Sequence, residues 1–319
     1  MGVTCIFHDG AESDATIAAA EAVCRHLRID HVVYDARQVF DEQVIRSFIA
    51  DSGSGFTPSP CVTCNRFCKI PVLCHAADEL GCEKIATGHY ARVVEDLDLR
   101  RFALKRALDE TKDQTYMLSL LTQDQLARLI LPLGGYTKAE VRQYAQDAGI
   151  PVAHRPESQD LCFIEGEQRD FFIQAGLPDN PGDIVTPDGK VVGAHTGLHH
   201  YTLGQRKGLG VAMGEPYFVV AKDAEVNTLT IAPKEHTFIS SVEVSDLNWM
   251  LPMPSDPCSV KIRYRSQPAL ASVELLESDR VRVVFAYPQA LTAPGQCCAF
   301  YEGNTLVGGG IIDRVVFSA

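Results

Sequence analysis

The feature that most restricts the fold is a change of texture near residue 173. Before it, strand-like and helix-like runs alternate; after it, short alternating strands follow one another between Gly, Pro and Asp turns. In the first part, residues 2–8 read as a short buried strand and residues 13–28 as an amphipathic helix. Residues 31–34 read as strand, 36–50 and 65–80 as helix, and 84–87 as a strand running into Gly88-His89-Tyr90. Strands alternating with helices predict a parallel sheet with helices on both faces, and such sheets bind ligands at the carboxyl ends of their strands. Residues 101–107 then read as strand and 116–130 as helix. Thr137-Lys138-Ala139-Glu140 reads as a capping box opening a helix that runs to Ala148. Beyond residue 227 the strands become regular, at 228–231, 259–265, 270–276, 281–285, 296–301 and 305–315, the pattern of a closed β-barrel. The predicted organisation is an α/β parallel-sheet domain over residues 1–172, a small mostly-β segment over 173–226 and a C-terminal β-barrel over 227–319.

Two compositional facts limit the function. No apolar run approaches the ~20 residues of a membrane span, so no membrane partner is expected. The eleven cysteines are odd in number and scattered over 319 residues, which points to free thiols in a reducing compartment, taken as the cytoplasm. Most of them, Cys5, Cys24, Cys74, Cys82, Cys258, Cys297 and Cys298 among them, read as small buried hydrophobes. The net charge of −12 argues by itself against nucleic acid, but a local basic face can carry phosphate contacts on an acidic protein.

The stretch Thr57-Pro58-Ser59-Pro60-Cys61-Val62-Thr63-Cys64-Asn65-Arg66 stands apart. Its prolines fix an extended entry to a helix. A C-x-x-C pair sits at the helix start, where the dipole and the charges of Arg66 and Lys69 favour thiolate. A further cysteine, Cys162, lies far downstream in Glu157-Ser158-Gln159-Asp160-Leu161-Cys162-Phe163-Ile164.

Seven motifs occur in order. They are the cysteine loop, Ala86-Thr87-Gly88-His89-Tyr90, Lys112-Asp113-Gln114, Ser158-Gln159-Asp160-Leu161-Cys162-Phe163, Thr202-Leu203-Gly204-Gln205-Arg206-Lys207-Gly208-Leu209-Gly210, Arg263-Tyr264-Arg265 and Gly308-Gly309-Gly310. Together they closely resemble the tRNA-specific 2-thiouridylases over essentially the whole chain. The resemblance implies an adenine nucleotide alpha hydrolase-like first domain, tRNA-binding and barrel domains behind it, and ATP with Mg2+ as cofactors. It implies adenylation of the C2 oxygen of a tRNA wobble uridine and its replacement by a persulfide sulfur. Cys162 matches the persulfide carrier. Cys64 matches the nucleophile that closes a disulfide with it. Cys5 and Gly88 match nucleotide-site positions. Ser59, Pro60, Cys61, His89, Lys112, Asp113, Gln114, Arg263, Tyr264 and Gln296 match tRNA contacts. The partners implied are tRNA and a sulfur-relay or cysteine desulfurase donor.

The chain departs from the family at its front. Family members open with a strand, a phosphate-binding loop of the form S-G-G-x-D-S and a helix, and this sequence contains no such loop. It opens in what would be the second strand. The expectation is a gene model that starts late, because an open sheet lacking an internal strand exposes apolar surface. A degenerate tRNA-binding paralogue and a loop supplied by another subunit are the competing readings. Ser59 stands where the family commonly has asparagine. Cys61, Cys64 and Cys162 also suit three ligands of a [4Fe–4S] cluster, the alternative to persulfide chemistry. Arg263 and Arg265, read as alternating along one strand, are expected to share a face toward the first domain.

Overall fold

The computed structural model describes residues 1–154 and 161–318. Strand β1 (Gly2–Ile6) pairs in parallel with β2 (His31–Asp35) across helix α1 (Ala11–Leu27). Three segments then form one long helical stretch: α2 (Arg37–Phe40), a π turn over Asp41–Ile45 and α3 (Arg46–Gly53). The cysteine loop leads into a second such stretch, α4 (Pro60–Cys64), a π turn over Asn65–Lys69 and α5 (Ile70–Glu79). Pro60 sits in the first turn of α4, where its missing N–H costs nothing. The helix expected from residue 65 thus begins at Pro60, and Cys64 lies inside it rather than at its start.

Next come β3 (Ile85–Ala86), the antiparallel hairpin β4 (Ala91–Asp96) and β5 (Arg101–Arg106), α6 (Gln123–Arg128) and β6 (Leu129–Ile130). The parallel strands of this first domain run as two pairs, β1–β2 and β3–β6. The helix expected over 116–130 is broken. A 3-10 turn covers Thr115–Leu118, and α6 starts afresh at a capping box on Thr122. The break has a distant cause: the Asn248 amide donates to the carbonyls of Ser119 (3.2 Å) and Leu121 (2.9 Å), acceptors a continuous helix would use itself. The capping box on Thr137 forms as expected. Glu140 N donates to Thr137 Oγ1 at 3.2 Å and Glu140 takes the Thr137 N–H at 2.7 Å, opening α7 (Lys138–Asp147).

Helix α8 (Gln168–Gln174) precedes a four-stranded sheet of β7 (Gly182–Val185), β8 (Val191–His195), β9 (Tyr217–Asp223) and β10 (Thr228–Pro233), in the order β8-β7-β10-β9. Strand β10 therefore lies beyond residue 226, where the middle segment was expected to end. The barrel follows: β11 (Phe238–Trp249), β12 (Cys258–Lys261), β13 (Ala269–Leu275), β14 (Val281–Ala290), β15 (Cys297–Glu302) and β16 (Thr305–Phe317). Pairing of β11 with β16 closes the ring. Three consecutive glycines on β16 let other groups come close. A Cβ at Gly308 would stand 2.6 Å from the Asn248 carbonyl oxygen, and one at Gly309 2.8 Å from Ser119 Cβ.

The hairpin of the first domain is not separate from the barrel. Strand β5 adds to β16 through the pairs Lys105–Thr305 and Leu104–Leu306, so β4 and β5 extend the barrel sheet. The cores merge accordingly. Val62, Ile70, Leu104, Tyr116 and Leu126 pack in one buried cluster with Cys297, Tyr301 and Leu306. Among the described residues, no helix is long and apolar enough to cross a membrane.

Candidate active site

A cleft of about 910 Å³ opens where α4, the loop after β3, the hairpin and the barrel meet. Its floor carries Cys61, Cys64 and Cys162. The two π turns explain how Cys64 reaches it. Each inserts an extra residue into a helix, a device common at functional sites, and the second begins directly after Cys64. Cys64 is buried against Phe40, Val44 and Cys68, while Cys61 and Cys162 are exposed. The three thiols, spread over 101 residues from Cys61 to Cys162 in sequence, thus share one cavity. All eleven cysteines are free. Ser158, Gln159 and Asp160 lie outside the described residues.

The thiols differ electrostatically. Cys64 is pulled down from 9.0 to about 7, chiefly by the Cys68 thiol donating to it and then by the Lys69 ammonium, against the opposing effect of burial. Burial pushes Cys162 up to about 11, with the neighbouring Cys64 charge adding to it. Cys61 is raised by the same cause. A thiol partly ionised near neutral pH therefore shares the cleft with one that is protonated there. Arg66, expected to help, does not: its guanidinium pairs with Asp246 of the barrel at 3.0 Å.

Walls of the cleft are basic. Lys69, Arg106, Lys112, Lys138, Lys261 and Arg265 line it, against the carboxylates of Glu110 and Asp113. A positive cavity on a chain of net charge −12 is the local face that the overall charge conceals. Tyr264 and Tyr90 add aromatic surface, with Lys261 5.9 Å from the Tyr264 ring centre and Lys138 5.5 Å from that of Tyr90.

Of the other expected site residues, Pro60, Gly88, His89, Lys112, Asp113, Gln114 and Tyr264 border the cleft. His89 is held neutral, its imidazole pushed down to about 4 by burial and by Lys69. Gln114 braces the Gly88-His89-Tyr90 turn by accepting from Tyr90 N at 2.9 Å. Asp113 is buried and accepts from Ala107 N at 3.1 Å and Thr115 Oγ1 at 2.8 Å, so its carboxylate shapes the loop from within.

Cys5, Ser59, Arg263 and Gln296 are not among the lining residues. Cys5 sits on β1, half-buried, and is raised to about 11 by burial. Gln296 donates to the Thr57 carbonyl at 2.7 Å, and Thr57 N donates to Pro294 O at 2.8 Å, which ties the cysteine loop to the barrel. The shared strand face expected of Arg263 and Arg265 does not form, because β12 ends at Lys261. Arg263 turns inward and donates to the carbonyls of Leu203 and Leu291. Its guanidinium joins the segment before the middle sheet's third strand to the barrel.

Asn65, Lys69, Arg106, Lys138 and Met117 also line the cleft, although the sequence predicts no site role for Asn65, Arg106, Lys138 or Met117. For Lys69, one and a half turns after Cys64, it predicts only a charge that favours the thiolate. Asn65 is buried and anchors α4 by donating to Met117 O at 3.0 Å.

Comparison with known proteins follows the same division. Residues 6–166 match a model described as the tRNA methyl transferase HUP domain. Residues 170–233 match a tRNA methyl transferase PRC-barrel domain and 239–312 an aminomethyltransferase beta-barrel domain. A tRNA-specific 2-thiouridylase MnmA of Synechococcus sp. (strain JA-2-3B'a(2-13)) is 44% identical over 301 residues, 92% of this chain and 82% of that protein. The chain belongs to the tRNA-specific 2-thiouridylase family. Relatives bearing the same name in Trichormus variabilis and Halothermothrix orenii are 44% and 41% identical over 308 residues, each covering 95% of this chain and 87% and 86% of the relative. As a 2-thiouridylase family member, this chain keeps its three cleft cysteines inside the matched HUP region.

Proposed function

We propose that this protein exchanges oxygen for sulfur at C2 of the wobble uridine of tRNA, with ATP as the activating substrate. The observation that carries the reading is the convergence of Cys61, Cys64 and Cys162 on one basic cleft of an otherwise acidic protein. The cations supply contacts for the anticodon-loop backbone, and Tyr264 and Tyr90 supply stacking surface for an extruded base.

The sulfur step follows from the thiol chemistry. A donor protein leaves Cys162 as a persulfide. The Cys64 thiolate attacks Cys162 Sγ, forms the Cys64–Cys162 disulfide and expels the terminal sulfur as hydrosulfide. Hydrosulfide adds at C2 of the adenylated base and AMP leaves with the original oxygen, so C=O becomes C=S with loss of one proton. A cellular dithiol then returns two electrons and two protons to the disulfide. The low pKa of Cys64 suits it to the attacking role.

Adenylation places more demand on the nucleotide site. Gly88 borders the cleft and leaves room there, since among the described residues a Cβ on it would meet only Leu133 Cδ1, at 3.7 Å. The basic wall offers Lys69, Lys112 and Lys138 for phosphate, and Mg2+ enters with the nucleotide.

The test uses tRNA transcript, ATP and a persulfide-bearing donor protein with no free sulfide, with 2-thiouridine measured by mass spectrometry of nucleosides. Cys64→Ala and Cys162→Ala each abolish product under persulfide conditions. Full activity in either variant removes the two-cysteine scheme. The three-cysteine donor set also fits a [4Fe–4S] cluster with one open iron. A brown protein after anaerobic purification, colourless as Cys61→Ala, replaces the persulfide scheme with the cluster scheme.

A further inference from the structure

One cluster of ligating side chains lies away from the thiolation cleft, where α8 and the middle sheet meet. Asp179 follows α8, and His199 and His200 sit on a single 3-10 turn, Leu198–His200. One ligand atom from each of the three lies within 4.8 Å of the others. His200 Nε2 and Asp179 Oδ1 are 2.8 Å apart, and the two imidazoles are 4.0 Å apart between ring centres. Asp179 is oriented from behind by Arg169, which pairs with Oδ2 and also approaches Oδ1 at 3.3 Å. The decisive detail is His199. Its Nε2 is sealed from solvent and has no hydrogen-bond partner among the described residues. An orphaned buried ring nitrogen destabilises a native structure unless something satisfies it.

We propose that Asp179, His199 and His200 form a divalent transition-metal site, with Zn2+ the ion that their donors suit. Two imidazoles and one carboxylate oxygen are the borderline set that binds zinc, and a water completes four-coordination. Donor atoms around tetrahedral zinc stand about 3.3 Å apart. The His200–Asp179 pair at 2.8 Å therefore has to spread by only a few tenths of an ångström, exchanging the shared proton for the ion. The Arg169 contact on Asp179 plays the outer role that metal-bound carboxylates usually have filled.

The site's position gives it a structural task. His199 packs edge-on to Phe172 at 5.2 Å, and Phe172 stacks on Phe48 at 5.5 Å. Phe48 meets Phe163, the neighbour of Cys162, at 5.5 Å. On the other side the chain runs from His200 through Tyr201 into the Thr202–Gly210 motif. An ion here pins both the aromatic stack behind Cys162 and the start of that glycine-rich loop.

The experiment is a Co2+ and Zn2+ titration of the reduced, chelator-stripped full chain. One Co2+ binds per chain with a tetrahedral visible spectrum and without the near-ultraviolet sulfur-to-cobalt charge transfer that the cleft cysteines would give. Zn2+ displaces it and raises Tm. His199→Gln, which keeps the side-chain volume, and Asp179→Asn, which keeps acceptors for Arg169, each weaken binding at least tenfold, whereas Cys64→Ser and Cys162→Ser leave it unchanged. Absence of a one-to-one Co2+ site overturns the proposal. So does a site that survives in His199→Gln, or one lost in the cysteine variants. Circular dichroism of each variant separates loss of the ion from loss of the fold, and an unfolded His199→Gln leaves Asp179→Asn to decide.

Discussion

Cys68→Ala tests how Cys64 acquires its reactivity. Cys68 is fully buried, lies one turn beyond Cys64 in the π turn, and is the largest cause of the Cys64 shift from 9.0 to about 7. At pH 7 a thiol of pKa about 7 is about half ionised, and one returned to 9.0 is about 1% ionised, a loss of about fiftyfold in thiolate. The more basic thiolate is the better nucleophile, by about six- to tenfold for a rise of two pKa units at a Brønsted slope of 0.4–0.5. The net expectation is an alkylation rate at Cys64 about five- to eightfold slower at pH 7. The sign reverses above about pH 8, once enough of the variant is ionised for its six- to tenfold more reactive thiolate to outweigh its smaller thiolate fraction. Burial, which raises the thiol, and Lys69, which lowers it, oppose each other and both persist in the variant. The assay is iodoacetamide labelling over pH 5.5–10 (roughly the span that brackets a free thiol), followed by mass spectrometry of the Cys64 peptide. Superimposable pH–rate curves for wild type and Cys68→Ala would refute the assignment of the shift to Cys68. Cys68→Ser, which restores a donor, is expected to recover most of the low-pH rate.

Other changes reach the remaining parts of the site. Lys261→Ala lowers tRNA affinity and reduces the slope of log K against log salt by about 0.7–0.9, the value for one phosphate contact, in a filter-binding series; an unchanged slope takes Lys261 off the contact surface. Arg263→Ala destabilises by about 1–3 kcal/mol in urea unfolding, because two interior carbonyls lose a charged donor; unchanged stability with weakened tRNA binding would return Arg263 to the interface. Gly134→Ala places a Cβ 1.9 Å from the Ala91 carbonyl oxygen and is expected to cost about 1–3 kcal/mol or more, visible as a lower midpoint. A midpoint equal to wild type would show that the turn before Tyr136 and strand β4 can separate freely.

Local chemistry was legible in the sequence wherever it stayed local. The capping box at Thr137 appears as written, because its partners are three residues apart. The C-x-x-C loop reaches the cleft because prolines set its entry and the helix that follows is strongly apolar on one side. What escaped depends on residues far away in the chain. Nothing near Ser119 and Leu121 announces that the Asn248 amide, 129 and 127 residues on, will take their carbonyls and break the helix. Arg66 reads as a thiolate-stabilising charge until Asp246, 180 residues later, captures it. Arg263 reads as a groove residue until β12 ends early and its guanidinium turns inward. The basic cleft itself was hidden by averaging: its cations come from α5's approach, β5, α7 and the barrel, and only the fold sums them.

The bridging of β5 to β16 has a mechanical consequence. Arg106 on one wall terminates β5, Lys261 on the other terminates β12, and an unbroken ladder β5-β16-β15-β12 runs between them. Backbone hydrogen bonds along such a ladder resist shear far better than a linker would. The gap between the two walls is therefore a fixed gauge, like the jaws of a calliper locked at one setting, and whatever enters must take the shape the gap allows.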